Sequence, residues 1–440
     1  MTKCKVGFVA FDHPELNHIV HAKEVQEEVI PKIKKWPLDL YIVEELPVLP
    51  IDLIKIVRNL KKNEVDIVIF YLVGYCAEGL PLVLAAELDC PIIIWSANKH
   101  PLTPLSILSY IATSRNMKHF DKKFLSVIGK ADCNNTKEKI IKLCKTACLK
   151  KYLHQQTIGV IGNYNPGQVD TIVNEFQLRK LVPGILYLDT LELVKVFEEI
   201  DAIKAKNLID VKISQIKRKK VSESVLINAM KWYLTMKVII EKYKLDAITI
   251  RSWPELTNYK DFDRGLNASL LNEEGIVCIQ EVDISATITA LILQHLTKTP
   301  TFCGEIRSLE EKAFVLYHAG EAAFSLAESF KDIALFPSDN NVTVDLQITL
   351  KPGRITMAKI TAFPGENTLK MFISTGKVIK STDLVSRRAG ALIEPDVELS
   401  KFFNVLIEEA VEHHILIVYG DVKQELINFC DITGIKKAII

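Results

Sequence analysis

Ile248-Thr-Ile-Arg-Ser-Trp-Pro-Glu-Leu256 and Ile276-Val-Cys-Ile-Gln-Glu-Val-Asp-Ile-Ser285 are two short apolar runs of strand length that each end in polar groups. Pro254 stops the first strand. Glu255 then follows in the loop at its carboxyl end, the edge where ligands bind in open α/β sheets. The second run delivers Glu281 and Asp283, and strand alternation predicts that these two share a face. A third run, Val411-Glu-His-His-Ile-Leu-Ile-Val-Tyr-Gly-Asp421, opens with paired histidines. Alternation points His413 and His414 in opposite directions, so the pattern leaves open which of them meets a ligand. It also leaves open whether Glu281 or Asp283 does. Singly, such a carboxylate is more often a helix cap or a surface charge. Together, two carboxylates and an imidazole at strand ends suit a divalent cation such as manganese.

Outward from these stretches the chain alternates strands and helices. Lys5–Phe11, Asp39–Glu44, Val65–Leu72 and Cys90–Trp95 read as strands. Ala22–Lys35 and Ile51–Lys62 between them carry helical apolar spacing, with Pro31 predicted to kink the first. Strand, helix, strand at these intervals indicates a parallel sheet with crossover helices. A second such unit starts near Thr157, with helices over Val194–Lys220 and Ala229–Lys244. After Asn341 the pattern changes to alternating strands around Lys351-Pro-Gly-Arg354, which predicts a β-hairpin. Helices are expected over Leu399–Val411 and from Val422. The fold class is therefore α/β: two doubly wound parallel-sheet domains, 1–154 and 155–338, then a β-rich domain, 339–440. Length agrees, since 440 residues suit two to three domains.

Composition excludes several classes. The 55 Lys and Arg against 54 Asp and Glu leave a charge of +1, which argues against nucleic acid as a partner. With 48% hydrophobic and 25% charged residues, the bulk of the chain is not disordered. No run approaches the ~18 apolar residues of a membrane span. The N-terminus reads as a first strand rather than a signal peptide. Nine cysteines with no CxxC pair fit reduced thiols in a cytoplasmic protein better than a disulfide framework. Thr157-Ile-Gly-Val-Ile-Gly162 lacks the G-x-G-x-x-G spacing of a dinucleotide site, so a plain strand-to-helix turn is favoured. The basic run Lys217-Arg-Lys-Lys220 reads as a solvated helix end.

Ile-Arg-Ser-Trp-Pro-Glu-Leu, followed 26 to 28 residues later by Glu-Val-Asp-Ile-Ser, resembles the signature of the L-fucose/L-arabinose isomerase family. Leu296-Thr-Lys-Thr-Pro-Thr-Phe302, Tyr317-His-Ala-Gly320, Lys351-Pro-Gly-Arg-Ile-Thr-Met-Ala-Lys359 and His413-His414 resemble further segments of it. The match is specific from about residue 245 onward. The resemblance implies a metal-dependent aldose–ketose isomerase working through a cis-enediol, commonly with Mn²⁺. It implies Glu255 and Asp283 as metal ligands and proton-transfer carboxylates, His414 as the third ligand, and Arg251, Trp253 and His318 beside the sugar. Three positions depart from the family: Arg251 stands where Cys or Lys is usual, Ala319 where Cys is, and Glu305 where Asp is. These departures point to a sugar other than fucose or arabinose. Arg251 would pair either with an anionic substituent on it or with a structural carboxylate. The alternative is a sugar-binding relative that no longer catalyses.

Family members complete the pocket with the first domain of a neighbouring subunit. A homotrimer or homohexamer is therefore expected here, with Trp95, beside Lys99 and His100, presented to the site of another chain.

Overall fold

The computed structural model describes residues 4–13, 15, 18–97, 105–218, 220–363, 365–380 and 388–440, with the backbone alone for His18 and Glu255. The chain divides into two compact units, residues 1–151 with 425–434, and residues 152–424 with 435–440. Among the described residues, no helix is long and apolar enough to cross a membrane.

In the first unit, Lys5–Phe11 (β1), Asp39–Ile42 (β2), Ile67–Leu72 (β3), Ile92–Ser96 (β4) and Phe124–Ile128 (β5) form a parallel sheet in the order β2-β1-β3-β4-β5. Successive residues of β1 feed opposite layers. Val6, Phe8 and Ala10 pack with Val25, Ile33 and Trp95, and Val9 and Phe11 with Leu53, Val57 and Leu60. Burial on both faces is why these strands read as near-continuous apolar runs. The helix predicted around Pro31 is accommodated by a π-helical turn, Val25–Val29, ahead of a short α-helix that carries Pro31 in its first turn. The π turn widens the helix just where Pro31 has no N–H to give the preceding turn.

Two expectations fail in this unit. Trp95 is not presented to a neighbour. It belongs to β4 and is fully buried, its indole N–H donating to the Gly129 carbonyl at 2.8 Å, its ring 4.5 Å from Tyr71 and 5.7 Å from Trp36 between centroids. The strand runs one residue beyond the predicted loop start, which turns the ring into the core. Lys99 and His100 lie outside the described residues. Nor are all cysteines free: Cys4 and Cys148 are paired as a disulfide, a pairing hidden in the sequence by 144 residues of separation.

In the second unit the strands are Thr157–Ile161 (β6), Gly184–Leu188 (β7), Lys217–Arg218 (β8), Ala247–Ile250 (β9), Val277–Gln280 (β10), Phe302–Leu309 (β11), Phe314–His318 (β12), Ile333–Pro337 (β13), Val344–Thr349 (β14), Gly353–Thr361 (β15), Lys370–Ile379 (β16), Ala389–Pro395 (β17), His414–Tyr419 (β18) and Lys436–Ile439 (β19). A parallel sheet runs β10-β9-β6-β7. Gly159 in β6 serves packing rather than a cofactor, since a Cβ there would sit 2.6 Å from Leu245 Cδ1. The helix predicted over 194–220 is two helices, Thr190–Glu199 and Ala202–Ile213. Asp201 breaks the run by capping the second through the Ile203 N–H. The basic run contributes β8, which pairs with β13, rather than a helix end.

The other strands form the sheet β19-β16-β15-β18-β11-β12-β17-β14-β13-β8, and an added β16–β17 pairing joins six of them in an antiparallel ring. Because β11 and β12 precede residue 339, the β-rich part recruits strands that the periodicity assigns to the second α/β domain. The hairpin predicted around Lys351-Pro-Gly-Arg354 does not form. Both edges of β14 are filled by β13 and β17, and both edges of β15 by β16 and β18.

Trp95→Ala should destabilise the first unit by about 3–5 kcal/mol, the cost of emptying a buried aromatic site. Denaturant unfolding followed on that unit checks it. A change below about 0.5 kcal/mol would place the ring at a surface.

Candidate active site

The turn that ends β10 sets the geometry. Past Gln280 the backbone becomes left-handed at Glu281 (φ +69°) and again at Val282 (φ +57°). A β-branched residue rarely holds that conformation, and the buried Val282 keeps it against preference, as residues at functional turns do. Strand alternation therefore ends at Gln280, and Glu281 and Asp283 are sent to different partners.

Asp283 caps the helix Ile284–Thr297, its Oδ1 accepting from the Ala286 N–H at 2.7 Å. Its Oδ2 accepts from Lys359 Nζ at 2.5 Å and lies 2.9 Å from His414 Nδ1. Lys359, on β15, also reaches Glu412 Oε2 at 2.7 Å. Ser285 Oγ lies 2.8 Å from Asp283 Oδ1 and 2.7 Å from Glu412 Oε2. Asp283, Lys359 and His414 have no exposed surface. Both Asp283 oxygens thus have hydrogen-bond partners, and through Oδ2 the carboxylate faces His414 Nδ1.

Burial works against every charge in this array. Around Asp283 it is overcome by Lys359 and His414, which hold the carboxyl far below the usual range. Around Lys359 it is overcome by Asp283 and Glu412, so the ammonium stays charged. Glu412 must share that ammonium with an ionised neighbour; there burial prevails and the pKa is pushed up to about 7. His414, despite its own burial, is carried up to about 10 by Asp283 and Glu281.

With Nδ1 turned to Asp283, His414 directs Nε2 toward Glu281 Oε2 at 3.5 Å and His318 Nε2 at 3.3 Å. His318, the last residue of β12, has its Nδ1 3.3 Å from buried Glu321, though no hydrogen bond joins them. Burial of Glu281 is outweighed by His414 and His318, which take its pKa down to about 2, and Gln168 Nε2 donates to it at 2.5 Å. Beside them, His413 Nδ1 meets Asp170 at 2.5 Å and its Nε2 lies 3.7 Å from Glu305. Glu281, Glu305, His413 and His414 can each bring one ligand atom within 4.8 Å of the others. Imidazoles backed by buried carboxylates, converging with a half-buried Glu, are a donor set that fits a divalent cation.

Of the residues singled out in the sequence, His318 and His414 come together here and Asp283 supports them. Glu255 opens the helix Glu255–Lys260 just past β9; its side chain lies outside the described residues. Trp253, ahead of it, is 45% exposed. Arg251 lines a different cavity of about 560 Å³ with Asp189, Glu198 and Lys260, and none of Glu281, His318 and His414 is on its walls. Lys359, Glu412, Glu321 and Gln168 went unread. The one available signal was a lysine inside the apolar strand Ile355-Thr-Met-Ala-Lys-Ile360.

Residues 328–440 match the family model of the L-fucose isomerase C-terminal domain. Relatives described as sulfoquinovose isomerases, from Priestia aryabhattai and Priestia megaterium, are 22% identical over 383 residues, 84% of this chain and 84% of theirs. One from Alkalicoccus urumqiensis is 23% identical over 350 residues, 76% of this chain and 77% of its own. The chain is thus similar to the L-fucose isomerase C-terminal domain over residues 328–440 and, at low identity, to sulfoquinovose isomerases over most of its length. That similarity gives the converging Glu and His groups a chemical setting.

The array separates its two buried carboxylates. Asp283→Asn should cost about 3–5 kcal/mol, because it leaves Lys359 and His414 without their shared anion, and weaken Mn²⁺ binding roughly 10–100-fold. Glu412→Gln, at a carboxyl already near its midpoint at neutral pH, should cost less than about 1.5 kcal/mol. Chemical denaturation and metal titration of both variants check the order. Equal losses would contradict it.

Proposed function

We propose that this protein converts an aldose to the corresponding ketose through a cis-enediol, with a divalent cation, Mn²⁺, held by Glu281, His318 and His414. The matched L-fucose isomerase C-terminal domain and the sulfoquinovose isomerase relatives support the reading as an aldose–ketose isomerase. The observation that supports the site is the approach of two imidazole Nε2 atoms to 3.3 Å beside Glu281. Glu255, implied by the family resemblance, would complete the ligand set. Such a cation supplies polarisation of the carbonyl and stabilisation of the enediolate charge.

The chain's own residues do the rest. Asp283 fixes the His414 tautomer by accepting from Nδ1, while Glu321 lies 3.3 Å from His318 Nδ1 without a hydrogen bond to it. Lys359 neutralises the carboxylate that does this. Glu281 is a partly exposed carboxylate of the cluster, 14% exposed against 16% for Glu305, and Gln168 orients it. Proton transfer between the two carbons then falls to Glu281, with Glu255 as the second carboxylate that the family resemblance implies. Asp283 is released from the base role that the family resemblance gave it, because it has no free oxygen.

The relatives act on sulfoquinovose by name, and the coverage of 84% on both sides supports a sulfonated aldose as substrate here. Trp253 would remain a wall for the sugar. The proposal extends to a cytoplasmic setting and to a homotrimer or homohexamer, for which the family resemblance is the support; light scattering checks the latter.

Metal-stripped protein should isomerise sulfoquinovose in D₂O only after Mn²⁺ is added, with deuterium entering at the exchanged carbon. Glu281→Gln should lower kcat roughly 10²–10⁴-fold. Sugar binding with no turnover and no exchange would make the chain a non-catalytic relative. No turnover, no sugar binding and no Mn²⁺-dependent rise in Tm would remove the proposal altogether.

A further inference from the structure

A second cavity of about 260 Å³ lies near the ligand cluster, with none of Glu281, His318 and His414 on its walls. Its walls include Thr257, Arg264, Gly265, Ala319, Asp345 and Arg388. Ala319 directly follows His318, Gln280 donates to the Arg264 carbonyl, and the Glu281 charge reaches Arg264, so the cavity lies close to the candidate metal centre. The close approach of the walls is fixed by Gly265, where a Cβ would stand 3.2 Å from the Ala319 carbonyl oxygen.

The two guanidinium groups differ in how they are held. Arg388 donates from Nη1 to Asp345 Oδ1 at 3.1 Å. Arg264 is half-buried, and its guanidinium makes no hydrogen bond or ion pair with another described residue; only its backbone carbonyl is engaged, by Gln280 Nε2 at 3.0 Å. A guanidinium stays charged in a protein and offers five donors in a fixed fork. Burial weighs against that charge, and Arg388 adds to the strain, while Glu281, Asp345 and Asp263 offset part of it. An anion brought between the two forks would relieve it.

We propose that Arg264 and Arg388 form the receptor for an anionic group at the far end of the sugar, a sulfonate, while the carbonyl end meets Glu281, His318 and His414. This rests on the isomerase reading above and adds the residues that select the substrate. Three oxygens on a tetrahedral centre match two donor forks. Asp339 and Asp345 on the same wall oppose a second negative charge, which favours a sulfonate over a phosphate dianion. The cavity that holds Arg251 is a separate space, so the anionic role that its position suggested passes to Arg264.

Calorimetric binding of sulfoquinovose, 6-deoxyglucose and glucose 6-phosphate to the metal-free protein, for wild type, Arg264→Gln, Arg264→Lys and Arg251→Gln, tests this, with melting curves to confirm folding. Wild type should bind the sulfonate at least tenfold tighter than the neutral sugar and tighter than the phosphate. Arg264→Gln should bring the sulfonate-to-neutral ratio to within about twofold of one, Arg264→Lys should restore part of it, and Arg251→Gln should keep it. The proposal is overturned if wild type shows no sulfonate preference, if Arg264→Gln keeps it, or if Arg251→Gln alone removes it. The isomerase reading fails separately: a protein that binds the sulfonate through Arg264 yet turns over no aldose with Mn²⁺ keeps the pocket and loses the reaction.

Discussion

The ammonium of Lys359, with no exposed surface and 2.5 Å from Asp283 and 2.7 Å from Glu412, is the interaction on which the candidate site depends. A buried ion pair contributes little net stability, because desolvation of both charges offsets their attraction. Its effect here is on arrangement. Lys359 keeps Asp283 ionised, Asp283 turns the His414 ring, and the ring presents Nε2 to Glu281 and His318. The charge sits on β15, the oriented ring on β18 and the capping carboxylate after β10, so one cation ties the parallel sheet to the antiparallel ring of strands within a single unit.

The strained turn at Glu281 and Val282 completes that arrangement. An extended strand would place the two carboxylates on one side, competing for one partner. The two left-handed residues separate them: one carboxylate goes inward to cap a helix and hold an imidazole, the other outward to where a substrate can reach it. The cost of a left-handed valine is met by its burial and by the hydrogen bonds of the capped helix behind it.

Much of this was legible beforehand, for physical reasons. Strands buried on both faces announce themselves by composition, so the strand ends at Ile250, Gln280 and His414 were placed from the text, and with them the neighbourhood of the site. What the text hides is everything decided by non-local pairing. The β16–β17 pairing draws in β11 and β12, and leaves β14 and β15 unpaired with each other across a Pro-Gly turn that reads locally as a hairpin. Trp95 reads as presented to a neighbour, whereas the strand carries it inward and continues to Ser96. The different directions of Glu281 and Asp283 are set by backbone angles that no alternation rule carries. Lys359 was visible only as an oddity in an apolar strand, and its partners lie 76 and 53 residues away.

The central claim is that Glu281, His318 and His414 hold the cation while Asp283 stands behind them. Anomalous diffraction at the manganese edge, from crystals grown with Mn²⁺, tests it most directly. The account predicts one strong peak within coordination distance of Glu281 and of the Nε2 atoms of His318 and His414, with the Asp283 carboxylate still on Lys359 and His414 Nδ1. A peak bonded to Asp283, or none near these three side chains, would contradict it.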